Sequence, residues 1–461
     1  FMSDYRFKPY EPDKPLLLPP DMRKWLPEDH LALFISDVVD ALDLSEIADK
    51  YYRCNGGQPA YHPAMMVKLL FYGYCVGIRS SRRIEQKTYE DVAFRVLSCD
   101  THPDHSRISD FRKRHLTEIG GLFVQVLEIC KEAGLVKLGH VALDGTKVKA
   151  NASKHKAMSY DRLVKREPEI AAEVERLLAE AEALDEREDK KYGKGKRGDE
   201  LPKELRFKQR RLAKIREAKQ ALEEQARREA IEAGKVDAEG NPPEGGGSES
   251  SSAPPGTPAP KSQRNFTDPD SRIMLDGATK AFIQGYNGQI AVDCMSQVIV
   301  AADVTQAAND KQQLAPMVEQ IEENLGEIPD CVLADNGYFS QENVEYVAAN
   351  YMEPLIAPER TKHTDEPSPV PKGRIPNDMS LVDRIRRKLK TKQGKKTYSK
   401  RKESVEPVFG QIKEARGIRS FLLRGLERVK AEWSLICLTH NILKLWGWYC
   451  PDGRRSARAL G

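Results

Sequence analysis

No apolar run in this chain approaches the roughly 20 residues that a membrane-crossing helix needs. The longest candidates are LICL, which is short, and MMVKLLFYGYCVGI, which carries a lysine. This argues against a membrane protein. Also absent is any C-x-x-C pair. The eight cysteines (Cys54, Cys75, Cys99, Cys130, Cys294, Cys331, Cys437, Cys450) are scattered in mostly apolar surroundings. That pattern excludes a zinc ribbon or a disulfide framework and suits reduced thiols in a cytoplasm. The opening stretch FMSDYRFKPYEPDKPLLLPP lacks the basic-then-apolar order of a secretory leader, so export is not expected. Charge of one sign is lacking too. With 74 basic and 70 acidic residues the net charge is only +4, so the distribution of charge must carry the argument.

What is present is ample material for a core: 461 residues, 39% of them apolar, enough for about three domains. After an N-terminal extension (1–20), residues 21–135 read as helical. DHLALFISDVVDAL places Leu31, Phe34, Ile35, Val38, Val39 and Leu42 at helical spacing, with Asp29 as the expected cap. A second helix opens at Pro63, RSSRRIEQKTYEDVAFRVLS supplies one or two more, and another begins near Ser106. Arg79, Arg82 and Arg83, then Arg107, Arg112 and Arg114, are what a helical DNA-binding domain would offer to phosphates; the alternative is a bundle with a solvated basic face.

From Gly139 the period changes to that of strands. GHVALDGTKVKA reads as a strand ending at Asp144, NGQIAVDCM and QVIVAADVTQ as a hairpin, and DCVLADNGYF as a strand ending at Asp335. With the helices QQLAPMVEQIEENLG and QENVEYVAAN and the strand EPLIAP, residues 136–155 and 264–450 describe a mixed sheet flanked by helices, an α/β domain. Residues 156–233 interrupt it. There Ile170, Val174, Leu177 and Leu184, then Leu205, Leu212, Ile215 and Leu222, follow three- and four-residue steps on charged helices, the pattern of an antiparallel two-helix, coiled-coil-like arm. Residues 234–263 form a Pro/Gly/Ser linker, expected to be flexible. Residues 451–461 are a tail.

The stretch KRKESVEPVFGQIKEARG, from Lys400 to Gly417, sets Glu406 at the end of a strongly basic tract. Pro407 is expected in a first helical turn, which puts Glu406 at a helix start, with Gly410 and Lys413 on the same face. Alone, Asp144 or Asp335 at a strand end is more often a turn-forming residue. Together with Glu406 they can hold two hard divalent cations, Mg²⁺ or Mn²⁺, whose function is in-line attack at a phosphodiester. The tract DRIRRKLKTKQGKKTYSKRK, with Arg386, Arg387 and Lys388, is too dense in like charge for a comfortable solvated face and is expected to contact DNA.

The chain resembles the DDE transposases of bacterial insertion sequences, whose catalytic domain is ribonuclease H-like. The blocks ALDGTKVKANASK, DPDSRIM, GYNGQIAVD, VTQAANDKQQL, LADNGYFS and VEPVFGQIK follow in the family's order. YHPAMMVKLLFYGYCVGIRSSRRIE and HSRISDFRKRH resemble the helical domain in front of that core. Within the family the chain is similar to the group with a Tyr-Arg-Glu-Lys signature, here Tyr398, Arg401, Glu406 and Lys413; four residues separate Arg401 from Glu406 where the common signature has three. The resemblance implies that Asp144, Asp335 and Glu406 form the catalytic, metal-binding triad. Tyr398, Arg401 and Lys413 would contact DNA phosphates, and Lys147 and Asn336 are placed near the site by adjacency.

It further implies binding of double-stranded DNA at terminal inverted repeats, metal-dependent cleavage, transfer of a 3′-hydroxyl to target DNA and a homodimer in the synaptic complex. The setting would be a bacterial cytoplasm, on the nucleoid. The arm is a hypothetical dimerisation or DNA-clamping element. The alternatives are a ribonuclease H-like nuclease that only hydrolyses DNA and a domesticated DNA-binding protein without chemistry.

Other residues invite chemistry less strongly. His102 and His105 could be half of a zinc site, but no matching pair lies nearby. His440 reads as a core histidine. Tyr338 and Phe339 either stack on an unpaired base or pack beneath the turn, and Tyr286 and Asn287 read as a turn.

Overall fold

A computed structural model describes residues 21–51, 60–192, 203–232 and 256–450, apart from 278, 360–369, 372, 374, 375, 377 and 378, and without the side chains of 181–192 and 203. The N-terminal extension, the arm's tip at 193–202, residues 233–255 of the linker region and the tail lie outside the described residues. The described residues divide into two units, whose bounds in the chain are as follows.

The first unit comprises residues 1–137, 295–299 and 435–461. Its helices are α1 (Leu31–Ala41), α2 (Ser45–Ala48), α3 (Pro63–Cys75), α4 (Ser81–Glu90), α5 (Val92–Leu97), α6 (His105–Arg114) and α7 (Leu116–Glu132). Helix α1 is capped by His30 rather than Asp29: the His30 Nδ1 accepts from the Ala32 amide at 3.1 Å, the role that a short polar side chain normally fills. Pro63 opens α3, where its missing N–H leaves nothing unsatisfied. Carboxylates start α5 and α6, Asp91 accepting from Ala93 and Phe94 and Asp104 from Ser106 and Arg107. His440 is buried and its Nε2 lies 2.9 Å from the Gln297 carbonyl, as a core histidine should.

The second unit comprises residues 138–294 and 300–434. In chain order the elements from residue 138 onward are β1 (His140–Lys149), β2 (Ala157–Ser159), α8 (Tyr160–Tyr192), α9 (Lys203–Glu232), β3 (Gln263–Asn265), β4 (Arg272–Leu275), β5 (Phe282–Asp293) and β6 (Ile299–Thr305). They continue with α10 (Leu314–Leu325), β7 (Cys331–Ala334), α11 (Gln341–Ala349), β8 (Glu353–Ile356), α12 (Leu381–Lys390), α13 (Lys392–Gly410) and α14 (Leu426–Tyr449). The main sheet is mixed, in the order β4-β5-β1-β7-β8, with β6 also pairing β5. Strand β1 is central, antiparallel to β5 and parallel to β7. Strand β7 is buried throughout, as expected of a parallel strand covered on both faces.

Strand β1 does not end at Asp144. It runs on to Lys149 because β5 pairs it all the way, from Val141–Asp293 to Lys149–Gly285. Tyr286 and Asn287 are therefore strand residues of β5 and not a turn. Tyr286 is fully buried and donates its hydroxyl to Asp268 at 2.8 Å.

Pro407 lies inside α13, not in its first turn. Its ring removes one backbone hydrogen bond, at a typical cost of about 3 kcal/mol. Burial of Val405 and Val408 offsets this, and Ser404 donates to the Lys400 carbonyl at 2.6 Å. The ladder slackens just downstream into a π-helical turn, Gln411–Ala415. At the other end Thr391 caps α13 through the Gly394 amide at 3.0 Å. A side chain at Gly394 would strike the Lys388 carbonyl.

The arm is present as a helix pair. Leu163, Ile170, Val174, Leu205, Leu212, Ile215, Ala218 and Leu222 form its seam, with Leu177 packed against it. Leu184 lies outside the described side chains. Contacts between Tyr160 and Glu223, Glu167 and Lys219, and Glu173 and Lys208 step in opposite directions along α8 and α9, so the pair is antiparallel.

Two glycines make the packing testable. A Cβ at Gly288 would come within 2.9 Å of the Trp433 ring, whereas at Gly121 nothing lies within 4 Å. Gly288→Ala should destabilise by about 1–3 kcal/mol, and Gly121→Ala, in the exposed interior of α7, should stabilise by about 0.5–1 kcal/mol. Denaturant titration of both variants checks this; equal effects would refute the packing described.

Candidate active site

The parallel ladder of β1 and β7 pairs Val141 with Val332 and Ala142 with Leu333. Carried two residues further along both chains, that register sets Asp144 beside Asp335, on strands about 4.8 Å apart. Asp144 senses its neighbours. Burial pushes the Asp144 carboxyl up to about 6; the Arg401 guanidinium opposes that rise, while Asp335 and Asp310 add to it. One Asp144 oxygen accepts from the Gly145 amide at 2.8 Å and the other from Arg401 Nη1 at 2.9 Å. Asp335 turns the chain out of β7, capping the short turn Asn336–Tyr338 through the Gly337 amide at 2.8 Å.

Helix α13 lies along these strand ends and is pinned by three signature residues. Tyr398 donates its hydroxyl to the carbonyl of Ala334 at 3.3 Å, one residue before Asp335. Arg401 holds Asp144 and sits over the Tyr398 ring, 5.9 Å from its centroid. Lys413, carried on the π-helical turn, donates to Thr146 Oγ1 and, at 2.9 Å, to the Lys147 carbonyl. Burial holds the Lys413 ammonium below its ordinary pKa.

Glu406 differs from its expected placement. Five residues beyond Arg401, it falls on the other side of the helix and is exposed. Among the described residues no group of three His, Cys, Asp or Glu is placed to hold a metal ion. The third carboxylate that does reach the pair is Asp310, in the segment between β6 and α10. Its Oδ1 accepts from Asn287 Nδ2 at 2.6 Å and Gln289 Nε2 at 2.7 Å, and lies 3.7 Å from Lys147 Nζ. Tyr338 is buried and donates to Gln289, so it packs beneath the turn instead of offering a face to a base. The sequence signal for this inner layer was available: Asn287 and Gln289, two residues apart, put two polar side chains on one face of β5.

The expected DNA contacts divide. Arg82, Arg83, Arg107 and Arg114 are exposed and Arg79 is half-buried. Arg112 is turned inward, donating to the Arg79 carbonyl at 2.9 Å, so it braces the helices and does not face solvent. Lys147 lies in the site beside Asp310. Asn336 is exposed, and its amide donates to the Pro358 carbonyl at 2.7 Å, away from the carboxylates. In the basic tract, Arg386 pairs with Glu359 and Asp383, Arg387 donates to the Gly373 carbonyl, and Lys388 pairs with Glu353. His105 is bonded to Glu85, and His102 stacks on Tyr89, so neither shows zinc geometry.

The raised Asp144 carboxyl makes stability depend on pH. A carboxyl near 6 in the folded chain and about 3.9 unfolded contributes stability that is complete below the unfolded value and lost as pH rises through 6. In metal-free protein, the fall in melting temperature between pH 5 and 7.5 should be shallower in Asp144→Asn. Identical slopes would contradict the assignment.

Two family models match the chain. One, described as a transposase domain (DUF772), covers residues 20–114, and the other, a transposase DDE domain, covers 258–442. Asp310, Asp335 and Glu406 fall within the second match; Asp144 and the arm precede it. No curated protein and no solved structure matches. No helix among the described residues is long and apolar enough to cross a membrane. With a helical domain and a DDE domain matched in that order, and two aspartates aligned at the end of one parallel ladder, the chain belongs to the DDE transposases of insertion sequences.

Proposed function

We propose that this transposase binds the terminal inverted repeats of its element as double-stranded DNA, cleaves there to free a 3′-hydroxyl, and joins that hydroxyl to target DNA. The observation that carries the reading is the β1–β7 register, which brings Asp144 on β1 and Asp335 just past the end of β7 to the same end of the sheet. The sheet, with β1 central between an antiparallel and a parallel partner, supports the ribonuclease H-like assignment.

The donor set fits a divalent cation. It is all oxygen, as Mg²⁺ or Mn²⁺ requires, and the buried Asn287 Oδ1 beside it has no hydrogen-bond partner. Asp144 and Asp335 would hold the ions; Glu406, the third ligand that the family signature implies, lies exposed on the other side of α13. When bound, two such ions supply activation of the attacking oxygen and stabilisation of the leaving one.

The protein's own groups do the rest. Arg401 and Lys413, both partly buried against β1, bring positive charge to the nonbridging oxygens of the scissile phosphate. Tyr398 fixes α13 to the end of β7, so that this charge is held without reorganisation. In the first reaction water attacks phosphorus, the bond to the 3′-oxygen breaks, and that oxygen takes up a proton. In the second the 3′-hydroxyl attacks a target phosphate, loses its proton, and displaces the target's own 3′-oxygen. The bond count is conserved, and no covalent enzyme intermediate is needed. The exposed lysines Lys392, Lys395, Lys396 and Lys402 on α13 offer a phosphate track. Two sites acting on paired ends imply a homodimer, to which the α8–α9 arm is a candidate contributor.

Joining of a pre-cut end carrying a free 3′-hydroxyl to plasmid DNA in Mg²⁺ tests this. The expected result is joining by the wild type and none by Asp335→Asn or Asp144→Asn at unchanged end binding. Robust joining by either variant would overturn the metal assignment, and hydrolysis without joining would make the protein a nuclease.

A further inference from the structure

Asp310 occupies the N-cap position of the turn Lys311–Gln313, yet its side chain makes no cap hydrogen bond. Instead the carboxylate points into the sheet and touches both segments that bear the catalytic aspartates. On the β1 side it takes the amides of Asn287 and Gln289 and faces the Lys147 ammonium. Those two β5 residues are cross-strand partners of Lys147 and Gly145. Gly145, next to Asp144, leaves the room: a Cβ there would lie 2.7 Å from Asp310 Oδ1 and 3.0 Å from the unpartnered Asn287 Oδ1.

The β7 side is reached in two ways. The Gln289 amide that donates to Asp310 belongs to the side chain whose oxygen accepts the Tyr338 hydroxyl, three residues beyond Asp335. Gly337 again leaves the room, since a Cβ there would lie 2.9 Å from Asp335 Oδ1 and 3.4 Å from Asp310 Oδ2. One carboxylate is thus wedged between the glycine after Asp144 and the glycine two residues after Asp335.

We propose that Asp310 is a positioning residue of the active site, which fixes the spacing of Asp144 and Asp335 through Gln289 and Tyr338 and holds Lys147 beside them. It acts through these neighbours and is not itself a ligand. The inference rests on the reading of Asp144 and Asp335 as the metal-binding pair. Partners of this kind change metal affinity by about 10- to 100-fold when removed. Asn at 310 keeps an oxygen for both amides, whereas Ala leaves the buried Gln289 amide without its acceptor.

The test is binding of Mn²⁺, followed by electron paramagnetic resonance on the full chain, beside end-DNA affinity and the Mg²⁺ needed for half-maximal cleavage. Asp310→Ala should weaken Mn²⁺ binding and raise the Mg²⁺ requirement by about 10- to 100-fold, at unchanged DNA affinity, with Asp310→Asn restoring most of the loss. Gly337→Ala, which wedges a methyl between the two carboxylates, should act in the same direction and decides the matter should Asp310→Ala fail to fold. Wild-type metal dependence in Asp310→Ala, or in Gly337→Ala if the first does not fold, overturns the proposal, as does an Asp310→Asn as damaged as the alanine variant, which would mark a direct ligand. Asp335→Asn serves as control: if it too binds Mn²⁺ like the wild type, the metal-pair reading fails instead.

Discussion

Two carboxylates brought to the same end of a parallel ladder repel each other, and several polar and charged groups of the second unit gather around one of them, Asp144. The β1–β7 register fixes Asp144 and Asp335 together. Burial raises the Asp144 carboxyl, Arg401 opposes that rise, and the neighbouring Asp335 adds to it. Arg401 from α13 and Lys147 from β1 supply the opposing charge. In the proposed reading a divalent cation would add to that counter-charge.

Helix α13 is the second constraint. Tyr398, Arg401 and Lys413 each spend a polar group on the strands below, while Glu406 and the lysines Lys395 and Lys402 face outward. Its inner side thus clamps the aspartates and its outer side meets the medium from which DNA would arrive. The interruption at Pro407 and the π-helical turn after it let one helix serve both purposes: they carry Lys413 back to β1 after Glu406 has turned away.

Much of this was legible in the sequence, for identifiable reasons. The switch from helical to alternating period at Gly139, the seam of the arm, and the strands bearing Asp144 and Asp335 follow from side-chain periodicity, which burial enforces. What was missed depends on long-range pairing. The extent of β1 past Asp144 is set by β5, some 140 residues later in the chain. Asp310 looks like an ordinary turn residue until the fold brings it to Gln289 and Lys147. Local propensity places Pro407 in a first helical turn, and tertiary burial of Val405 and Val408 overrides it. The ion pairs of the basic tract are not visible locally, because Glu353 and Glu359 are distant in sequence from the residues they pair.

The most direct measurement of where the chemistry sits is anomalous diffraction from Mn²⁺ bound to the protein with its end DNA. Metal density between Asp144 and Asp335, with Asp310 holding Gln289 and Lys147 outside the coordination sphere, is the predicted result. Ions bound elsewhere, with those two aspartates still engaged only by protein groups, would contradict it.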